Sequence, residues 1–160
     1  MIINPREPRL YVLVGVPGSG KSTWVNKQAW AKDCAYVSTD KWVEGHAEAM
    51  GKTYSEVFDE FMPQAVQMMA KDVIEAREAG KDIIWDQTST TLMSRKRKFK
   101  MLPNYYAIAV VFKTPEKEEL AKRLASRPGK IIPDHVMRSM IDGFDMPTEE
   151  EGFREIWFAE

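Results

Sequence analysis

A glycine-rich stretch near the start of the chain, GVPGSGKSTW, combines the residue types that bind phosphate. Gly15, Gly20, Lys21 and Ser22 satisfy the pattern G-x-x-x-x-G-K-[ST]. The glycines let backbone N–H groups turn inward around phosphate oxygens, and the helix that follows presents its positive end there. A lysine at this position reaches the β- and γ-phosphates and assists transfer, while the serine hydroxyl binds Mg²⁺. We therefore predict a site for ATP or another nucleoside triphosphate, together with Mg²⁺. Its residues are Gly15, Pro17, Gly18, Ser19, Gly20, Lys21, Ser22 and Thr23.

Two aspartates follow short apolar runs, Asp40 in YVSTDKW and Asp86 in IIWDQTST. A carboxylate at the position of Asp40 can act as the general base that takes the proton from an attacking hydroxyl group. Asp86 can hold Mg²⁺ beside Ser22 and contact the substrate, and the hydroxyl of Thr88 can hydrogen-bond to that substrate. Structural alternatives stay open, because Asp40 or Thr39 can cap the next helix and Asp86 can close a turn.

The segment KRLASRPGK brings two arginines together near the end of a predicted helix. Arg123 and Arg127 are four positions apart, which places them on one helix face, and Pro128 and Gly129 then break the helix. Guanidinium groups suit the charge on a transferring phosphoryl group, so we predict that Arg127 assists the chemistry and Arg123 contacts the nucleotide. We expect residues 123–133, named the lid segment here, to close over the triphosphate. The alternative is that both cations only pair with the negative end of the helix.

Two further charged stretches have simpler interpretations. Residues 94–100, SRKRKFK, contain five cations, which either follow a nucleic-acid backbone or form a solvated helix face. The acidic residues 149–151 are expected to form a solvated turn.

The elements that must position these residues alternate between short strands and longer helices. Five apolar runs indicate strands at residues 10–15, 34–38, 82–86, 106–112 and 154–159. Helical patterns cover residues 22–31, 53–79 and 133–144, and a further helix begins with Thr114 as its cap and Pro115 as its first residue. In the longest helix, apolar side chains recur every three or four positions and are expected to face inward. They are Phe58, Phe61, Met62, Ala65, Met69, Val73 and Ala76.

This alternation predicts an α/β protein. A short parallel sheet of four or five strands would carry helices on both faces, as one domain over residues 1–160. Ligands of such sheets bind beyond the carboxyl ends of the strands, where Gly15, Asp40 and Asp86 all fall.

Composition limits the function classes further. The chain has 160 residues, 44% hydrophobic and 29% charged, which is typical of a globular domain and argues against disorder. The net charge of −1 does not indicate a nucleic-acid binder as a whole molecule. A single cysteine, Cys34, excludes an internal disulfide. No apolar run reaches about 18 residues, so we expect no membrane association, and the first residues lack an apolar signal core, which favours a cytoplasmic location.

Four stretches together resemble phage polynucleotide 5′-kinases and their P-loop relatives: GVPGSGKSTW, YVSTDKW, IIWDQT and KRLASRPGKIIPDHVMRSM. The resemblance extends from about Leu10 to Met140, and the ending EGFREIWF is similar to the closing strand of related small kinases. It implies the P-loop NTPase and kinase fold with a short parallel sheet. It also implies that Lys21 and Ser22 bind phosphates and Mg²⁺. The other residues that it implies are Asp40 as general base, Asp86 in the metal and substrate shell, and Arg127 as the phosphate clamp. A phage-encoded chain would act in the host cytoplasm.

The sequence departs from this family on the side of the phosphoryl acceptor. Nucleic-acid kinases of the family often carry an arginine three residues after the general base, where it holds a neighbouring phosphate of the strand, and this chain has Val43. The family also favours asparagine after the threonine of the third-strand loop, and here Ser89 follows Thr88. Arg95 keeps the later basic position and is expected to contact the substrate.

These observations predict an ATP-dependent kinase that transfers the γ-phosphate to a hydroxyl of nucleic acid, DNA more than RNA. The acceptor is either a 5′-hydroxyl or, as in some phage relatives, a hydroxymethyl group on a modified pyrimidine in DNA. A kinase for a nucleoside, sugar or other metabolite is an alternative that the near-neutral charge and Val43 favour. A non-catalytic nucleotide-binding module is a third, although mere binding needs no base such as Asp40. A GTPase is not favoured, because the base-reading pattern N-K-x-D is missing.

Overall fold

Five strands and six helices alternate along residues 6–159, the part of the chain that the computed structural model describes. The strands are β1 (Arg9–Val14), β2 (Ala35–Val37), β3 (Ile83–Trp85), β4 (Tyr106–Phe112) and β5 (Glu155–Ala159). The helices are α1 (Lys21–Lys27), α2 (Asp40–Met50), α3 (Tyr54–Glu78), α4 (Leu92–Met101), α5 (Lys117–Ala125) and α6 (Asp134–Asp142). Short 3-10 helices are formed by Ala29–Asp33 and Glu149–Glu151. None of the helices within residues 6–159 is both long and apolar enough to span a lipid bilayer.

The five strands form one parallel sheet in the order β2-β3-β1-β4-β5. β1 lies at its centre, with Leu10 opposite Ile83 of β3 and Ala107 of β4. From β1 the chain passes to the edge strand β2 and then to β3, which pairs with one side of β1. The chain later reaches β4, which pairs with the other side of β1. A crevice forms at such a switch point, beyond the carboxyl ends of the strands. The predicted α/β fold with a short parallel sheet is confirmed.

Helices cover both faces of this sheet, as the sequence predicted. Val12 of β1 packs on one face in a cluster with Met69 and Val73 of α3. Leu13, the next residue, points to the opposite face, where it packs in a cluster with Val25 of α1. Because both faces are buried, β1 is apolar at successive positions rather than at alternate ones.

α3 begins and ends with the signals found in the sequence. The Thr53 hydroxyl accepts from the Glu56 amide at 3.2 Å, and the Glu56 carboxylate accepts from the Thr53 amide at 2.9 Å. These two bonds form a capping box and satisfy two amides that the helix leaves free. Gly80 follows the helix with a φ of 66°, a conformation that glycine adopts without strain.

Two helices have different limits from those predicted. α1 ends at Lys27 because Gln28 is extended, with φ −91° and ψ 115°, and the chain continues as the 3-10 helix Ala29–Asp33. α5 begins only at Lys117 because Glu116, with ψ 149°, is still extended, so neither Thr114 nor Pro115 starts the helix.

The cation-rich run 94–100 forms α4 and does not behave as a uniform charged surface. Arg95 and Lys98 are buried, and the guanidinium of Arg95 donates to both carboxylate oxygens of Glu151, at 2.7 and 3.1 Å, and to the carbonyl of Ser89 at 2.9 Å. The prediction of a solvated turn at residues 149–151 is therefore wrong for Glu151, which the buried guanidinium draws inward. The cations of the run that stay exposed are Lys96, Arg97 and Lys100.

Candidate active site

A cleft of about 1690 Å³ opens beyond the carboxyl ends of the central strands. Its walls are the glycine loop, the first turns of α2 and α3, the loop after β3 and the lid segment. Pockets for one small ligand are usually about 300–1,000 Å³. This cleft therefore has room for a nucleotide and for part of a second substrate.

The glycine loop has the geometry of a phosphate cradle. A Cβ atom on Gly15 would lie 2.5 Å from Ser19 Oγ and 2.9 Å from Phe112 Cβ, so no side chain fits there. Gly18 and Gly20 have φ values of 83° and 100°, which favour glycine. The Ser19 hydroxyl is buried and has no hydrogen-bond partner among the described residues. An unpaired buried donor in a glycine-rich loop is a group that a phosphate oxygen would satisfy.

Lys21 is the first residue of α1, and its ammonium lies within the glycine loop. Its ammonium donates to the carbonyls of Gly15 at 2.8 Å and Val16 at 3.0 Å. Burial lowers the pKa of Lys21 to about 8, although the carboxylates of Asp86 and Asp40 favour its charged form. A bound phosphate would supply the anionic partner that this cation lacks at close range.

Asp40 stands at the first turn of α2 and faces the cleft. One carboxylate oxygen accepts from the Tyr54 hydroxyl at 2.6 Å, and the other accepts from the Lys130 ammonium at 2.9 Å. Burial opposes ionisation, but Lys130, Tyr54 and Arg127 outweigh it, and the pKa of Asp40 lies below its usual value. Asp40 is thus an ionised carboxylate at neutral pH.

Helix capping does not explain Asp40. Thr39 occupies the cap position of α2, but its side chain makes no capping bond, and the Asp40 amide instead donates to the Ser38 hydroxyl at 3.0 Å. Both oxygens of Asp40 point to partners outside α2, which contradicts the capping alternative.

Asp86 follows β3 and lines the same cleft. Its carboxylate accepts a hydrogen bond from the Tyr36 hydroxyl. Burial raises the pKa of Asp86 above its usual value, although Tyr36 and the Lys21 ammonium counteract that effect. A cation bound beside the carboxylate would favour its ionised form.

The two arginines of the lid segment both line the cleft, but they do not share one helix face. α5 ends at Ala125, with Ser126 as its cap, so Arg127 lies beyond the helix. Its charge acts on Asp40 and on Lys21. Arg123 stays within α5 and donates to the Gly18 carbonyl at 3.0 Å and to Glu119 at 2.9 Å. The hydrogen bond from Arg123 to Gly18 therefore links α5 to the glycine loop.

Thr88 and Arg95, both predicted to contact substrate, lie in different places. Thr88 lines the cleft, and its carbonyl accepts from the Gly15 amide at 2.9 Å, which ties the loop after β3 to the glycine loop. Arg95 is fully buried, and its guanidinium is bound to Glu151 and the Ser89 carbonyl. The prediction that Arg95 contacts substrate is wrong in this structure, because the ion pair holds it in the interior.

Three polar residues of the site were not identified from the sequence. Tyr36 binds Asp86, Tyr54 binds Asp40, and Lys130 binds both Asp40 and, at 3.4 Å, Glu44. Lys130 belongs to the lid segment, so its position in that basic run was the one available signal. The tyrosines carried none, because Tyr36 lies in an apolar strand run and Tyr54 in an ordinary helix start, and neither belongs to a phosphate-binding motif.

The donor set can accommodate Mg²⁺. Residues 6–159 contain no group of three or more His, Cys, Asp or Glu side chains arranged to hold a metal by themselves. Mg²⁺ in phosphate sites usually binds one or two protein oxygens and takes its remaining ligands from phosphate and water. Ser22, at the start of α1, and Asp86 are the residues that would supply those protein oxygens.

Fold and cleft together define a P-loop protein with a kinase-like fold. A family model described as AAA domain matches residues 10–147, which is most of the chain. The chain therefore belongs to that AAA domain family.

Curated proteins with similar sequences include one from yeast and one from mouse. The bifunctional polynucleotide phosphatase/kinase of Schizosaccharomyces pombe is 28% identical over 92% of this chain and 32% of its own length. Heterogeneous nuclear ribonucleoprotein U-like protein 2 of mouse is 28% identical over 96% of this chain and 22% of its own length. The chain thus spans only about a fifth to a third of the relatives that it matches.

Solved structures share the fold at low sequence identity. A chain of the PezAT chromosomal toxin–antitoxin system of Streptococcus pneumoniae has a TM-score of 0.75 and 18% identity, and it covers 98% of this chain and 68% of its own. A chain of the Pnkp1/Rnl/Hen1 RNA repair complex has a TM-score of 0.67 and 24% identity over 88% of this chain and 45% of its own. A sugar kinase from Janibacter has a TM-score of 0.61 and 18% identity over 94% of this chain and 85% of its own.

Proposed function

We propose that the chain is an ATP-dependent phosphotransferase whose acceptor is a hydroxyl group of nucleic acid, DNA more than RNA. The observation that carries the proposal is the convergence of opposite charges on the glycine loop. Asp40, Asp86, Arg127 and Lys130 line the same cleft as the glycine loop, and their charges act on the pKa of Lys21. A protein that only bound nucleotide would not need a carboxylate facing the loop across the cleft.

In the proposed reaction, the acceptor oxygen forms a bond to the terminal phosphorus of ATP while the bond from that phosphorus to the bridging oxygen of ADP breaks. The proton of the acceptor hydroxyl passes to a carboxylate oxygen of Asp40. Each carboxylate oxygen has two lone pairs, so Asp40 can accept this proton while Tyr54 and Lys130 stay bound.

The cations of the cleft would balance the charge on the transferring group. Lys21 would bind the β- and γ-phosphates at the glycine loop, and Arg127 would bind them from the lid segment. Arg123, which already braces the glycine loop, would contact the nucleotide. Mg²⁺ held by Ser22 and Asp86 would neutralise further phosphate charge. We further propose that residues 1–160 form one domain and that the lid segment closes over the nucleotide.

The choice of nucleic acid as acceptor rests on the curated relative. The Schizosaccharomyces pombe protein is named a polynucleotide phosphatase/kinase, and its similarity extends over almost all of this chain. Two acceptors fit the proposal, a 5′-hydroxyl end and a hydroxymethyl group on a pyrimidine base, the latter being the DNA modification expected of a phage enzyme.

A small-molecule kinase is the second candidate. Val43 stands where nucleic-acid kinases similar to the phage polynucleotide 5′-kinases often carry an arginine for a strand phosphate. Val43 is fully buried and leaves no cation at that position. A nucleoside or sugar acceptor would not need such a cation.

A parallel substrate assay tests the proposal. The protein is incubated with γ-labelled ATP and Mg²⁺, and separate reactions contain a 5′-hydroxyl oligonucleotide, a duplex bearing hydroxymethylpyrimidine, free nucleosides and simple sugars. We expect label on one of the nucleic acids. Label on nucleosides or sugars alone would establish the second candidate, and no transfer to any acceptor would leave only nucleotide binding.

A further inference from the structure

The position of the acceptor follows from the hydrogen bond between Tyr54 and Asp40. An acceptor hydroxyl that gives its proton to Asp40 must lie beside this carboxylate, and Tyr54 is already 2.6 Å from it. Tyr54 is the first residue of α3, and Phe58 follows one turn later, with the two ring centres 5.4 Å apart. The molecule that carries the hydroxyl would therefore bind close to the first turns of α3.

This part of the cleft is apolar and partly exposed. Phe58 was expected to face the core, but it is 36% exposed and lines the cleft instead. Met62 lines the same wall one turn further along α3. Two further apolar side chains line the cleft, Ile131 of the lid segment, which is 79% exposed, and Val136 of α6, which is 37% exposed. Exposed apolar side chains that share one concave wall indicate a binding surface.

Charges on this side do not favour a phosphate. Lys130 is bound to Asp40 and Glu44, and Lys41 is bound to Asp72 at 3.1 Å. Asp59, one position after Phe58, adds a carboxylate to the lining. Val43, in place of an arginine, is buried between α2 and α3. Arg127, whose charge also acts on Asp40 and Tyr54, is assigned to the γ-phosphate in the proposed reaction. A strand phosphate next to the acceptor hydroxyl would thus meet mainly carboxylates and lysines that are already paired with carboxylates.

Lys130 also limits where a flat group can bind. Its ammonium lies 4.3 Å from the ring centre of Tyr54 and covers one face of that ring. Phe58 is therefore the aromatic side chain of α3 available for stacking near Asp40.

We propose that Phe58, Met62 and Ile131 form a subsite for the planar base of the acceptor nucleotide, and that the acceptor is recognised by its base rather than by the phosphate next to its hydroxyl. This inference rests on the proposed function, because it requires a nucleotide as acceptor. Aromatic stacking recognises any base and needs no cation, which fits the residues present.

The test compares three oligonucleotides that share one sequence and a 5′-hydroxyl. One is unmodified, one lacks the base of the first nucleotide, and one has an uncharged methylphosphonate in place of the first phosphate. We expect loss of the base to lower kcat/KM by about ten-fold or more, the range typical of losing one stacked base. The uncharged linkage should change kcat/KM by less than about two-fold. The opposite pattern would overturn the inference and leave the proposed function intact, whereas no transfer to these strands or to the hydroxymethylpyrimidine duplex would remove both.

A pair of variants locates the effect in the protein. Phe58→Ala should lower kcat/KM for the unmodified strand by about ten-fold and leave the value for the strand without the first base unchanged. Phe158→Ala is the matched control, because Phe158 is 67% exposed on β5 and lies outside the cleft. Thermal melting confirms that both variants are folded. An equal loss on both strands for Phe58→Ala would contradict stacking on this ring.

Discussion

Asp40 shows how single residues are tuned by partners that lie far away in the sequence. Lys130 reaches it across 90 positions and Tyr54 across 14, and together they occupy both carboxylate oxygens. Lys130 gives the largest of the effects that lower the pKa of Asp40 against the opposing effect of burial. The carboxylate that we propose as general base therefore stays ionised below the usual pKa of an aspartate and is oriented toward the cleft.

Replacing Lys130 should change the pH dependence of activity. The carboxylate of Asp40 loses its cationic partner in Lys130→Met, so its pKa rises and it becomes protonated at a higher pH. We expect the acidic limb of the kcat/KM profile to move toward higher pH in Lys130→Met. Lys130→Arg keeps the positive charge and should keep the limb in place. An acidic limb at the same pH in all three proteins would show that Lys130 does not act on the base.

At the scale of elements, the sequence predicted the parts that depend on local pattern. The five strands, the capping box of α3 and the glycine loop follow from runs of apolar residues, capping residues and glycines, all of which act over short distances. The side of α4 that faces the core could not be predicted, because Arg95 is buried only through its pairing with Glu151, 56 positions away. Similarly, Phe58 follows the apolar period of α3 but lies at its cleft-facing end.

The ion pair between α4 and the second 3-10 helix should be important for stability. Glu151→Gln leaves the buried guanidinium of Arg95 without its counter-charge, and losing one partner of a buried pair costs about 3–5 kcal/mol. Glu150→Gln is the control, because Glu150 is exposed one position earlier, and it should cost less than about 0.5 kcal/mol. Urea unfolding measures both values. Equal stabilities would show that the pair contributes nothing.

Lys98 on α4 should reduce stability at neutral pH. Burial lowers its pKa from 10.5 to about 8, and its ammonium lies 5.1 Å from the ring centre of Trp85. Between pH 8 and 10.5 the unfolded chain binds more protons at this residue, so the free energy of unfolding rises with pH in that window. Lys98→Met should stabilise the protein by about 1–2 kcal/mol at pH 7.

Comparing the stability gain from Lys98→Met at pH 7 and at pH 10 tests whether the buried charge of Lys98 is its cause. At pH 10 the native lysine is mostly neutral, so the gain from Lys98→Met should shrink. Urea unfolding at both values of pH measures the gain. A constant gain across this range would indicate better packing of methionine rather than removal of a buried charge.

At the scale of the whole molecule, the sheet order brings distant segments to one cleft. The loop after β1, the start of α2 and the loop after β3 meet because β1 lies beside β3 and the chain passes to β2 at the edge. The lid segment completes the cleft by contacting α3. The Ser55 amide donates to the Gly129 carbonyl at 3.0 Å, and the Ile131 amide donates to the Ser55 hydroxyl at 2.8 Å. The sequence predicted that Asp40, Asp86 and Arg127 lie in one cleft with the glycine loop, but not the contacts between the lid segment and α3.

The most direct test of the account is phosphoryl transfer by Asp40→Asn, measured under single-turnover conditions beside the equilibrium affinity for ATP. An amide cannot take the proton of the acceptor hydroxyl, so we expect the transfer rate to fall by about 10²–10⁴-fold. The Kd for ATP should stay within about three-fold of the original, because the glycine loop and Lys21 are unchanged. Transfer at a near-normal rate with intact ATP binding would contradict the assignment of Asp40 as the base and, with it, the proposed mechanism.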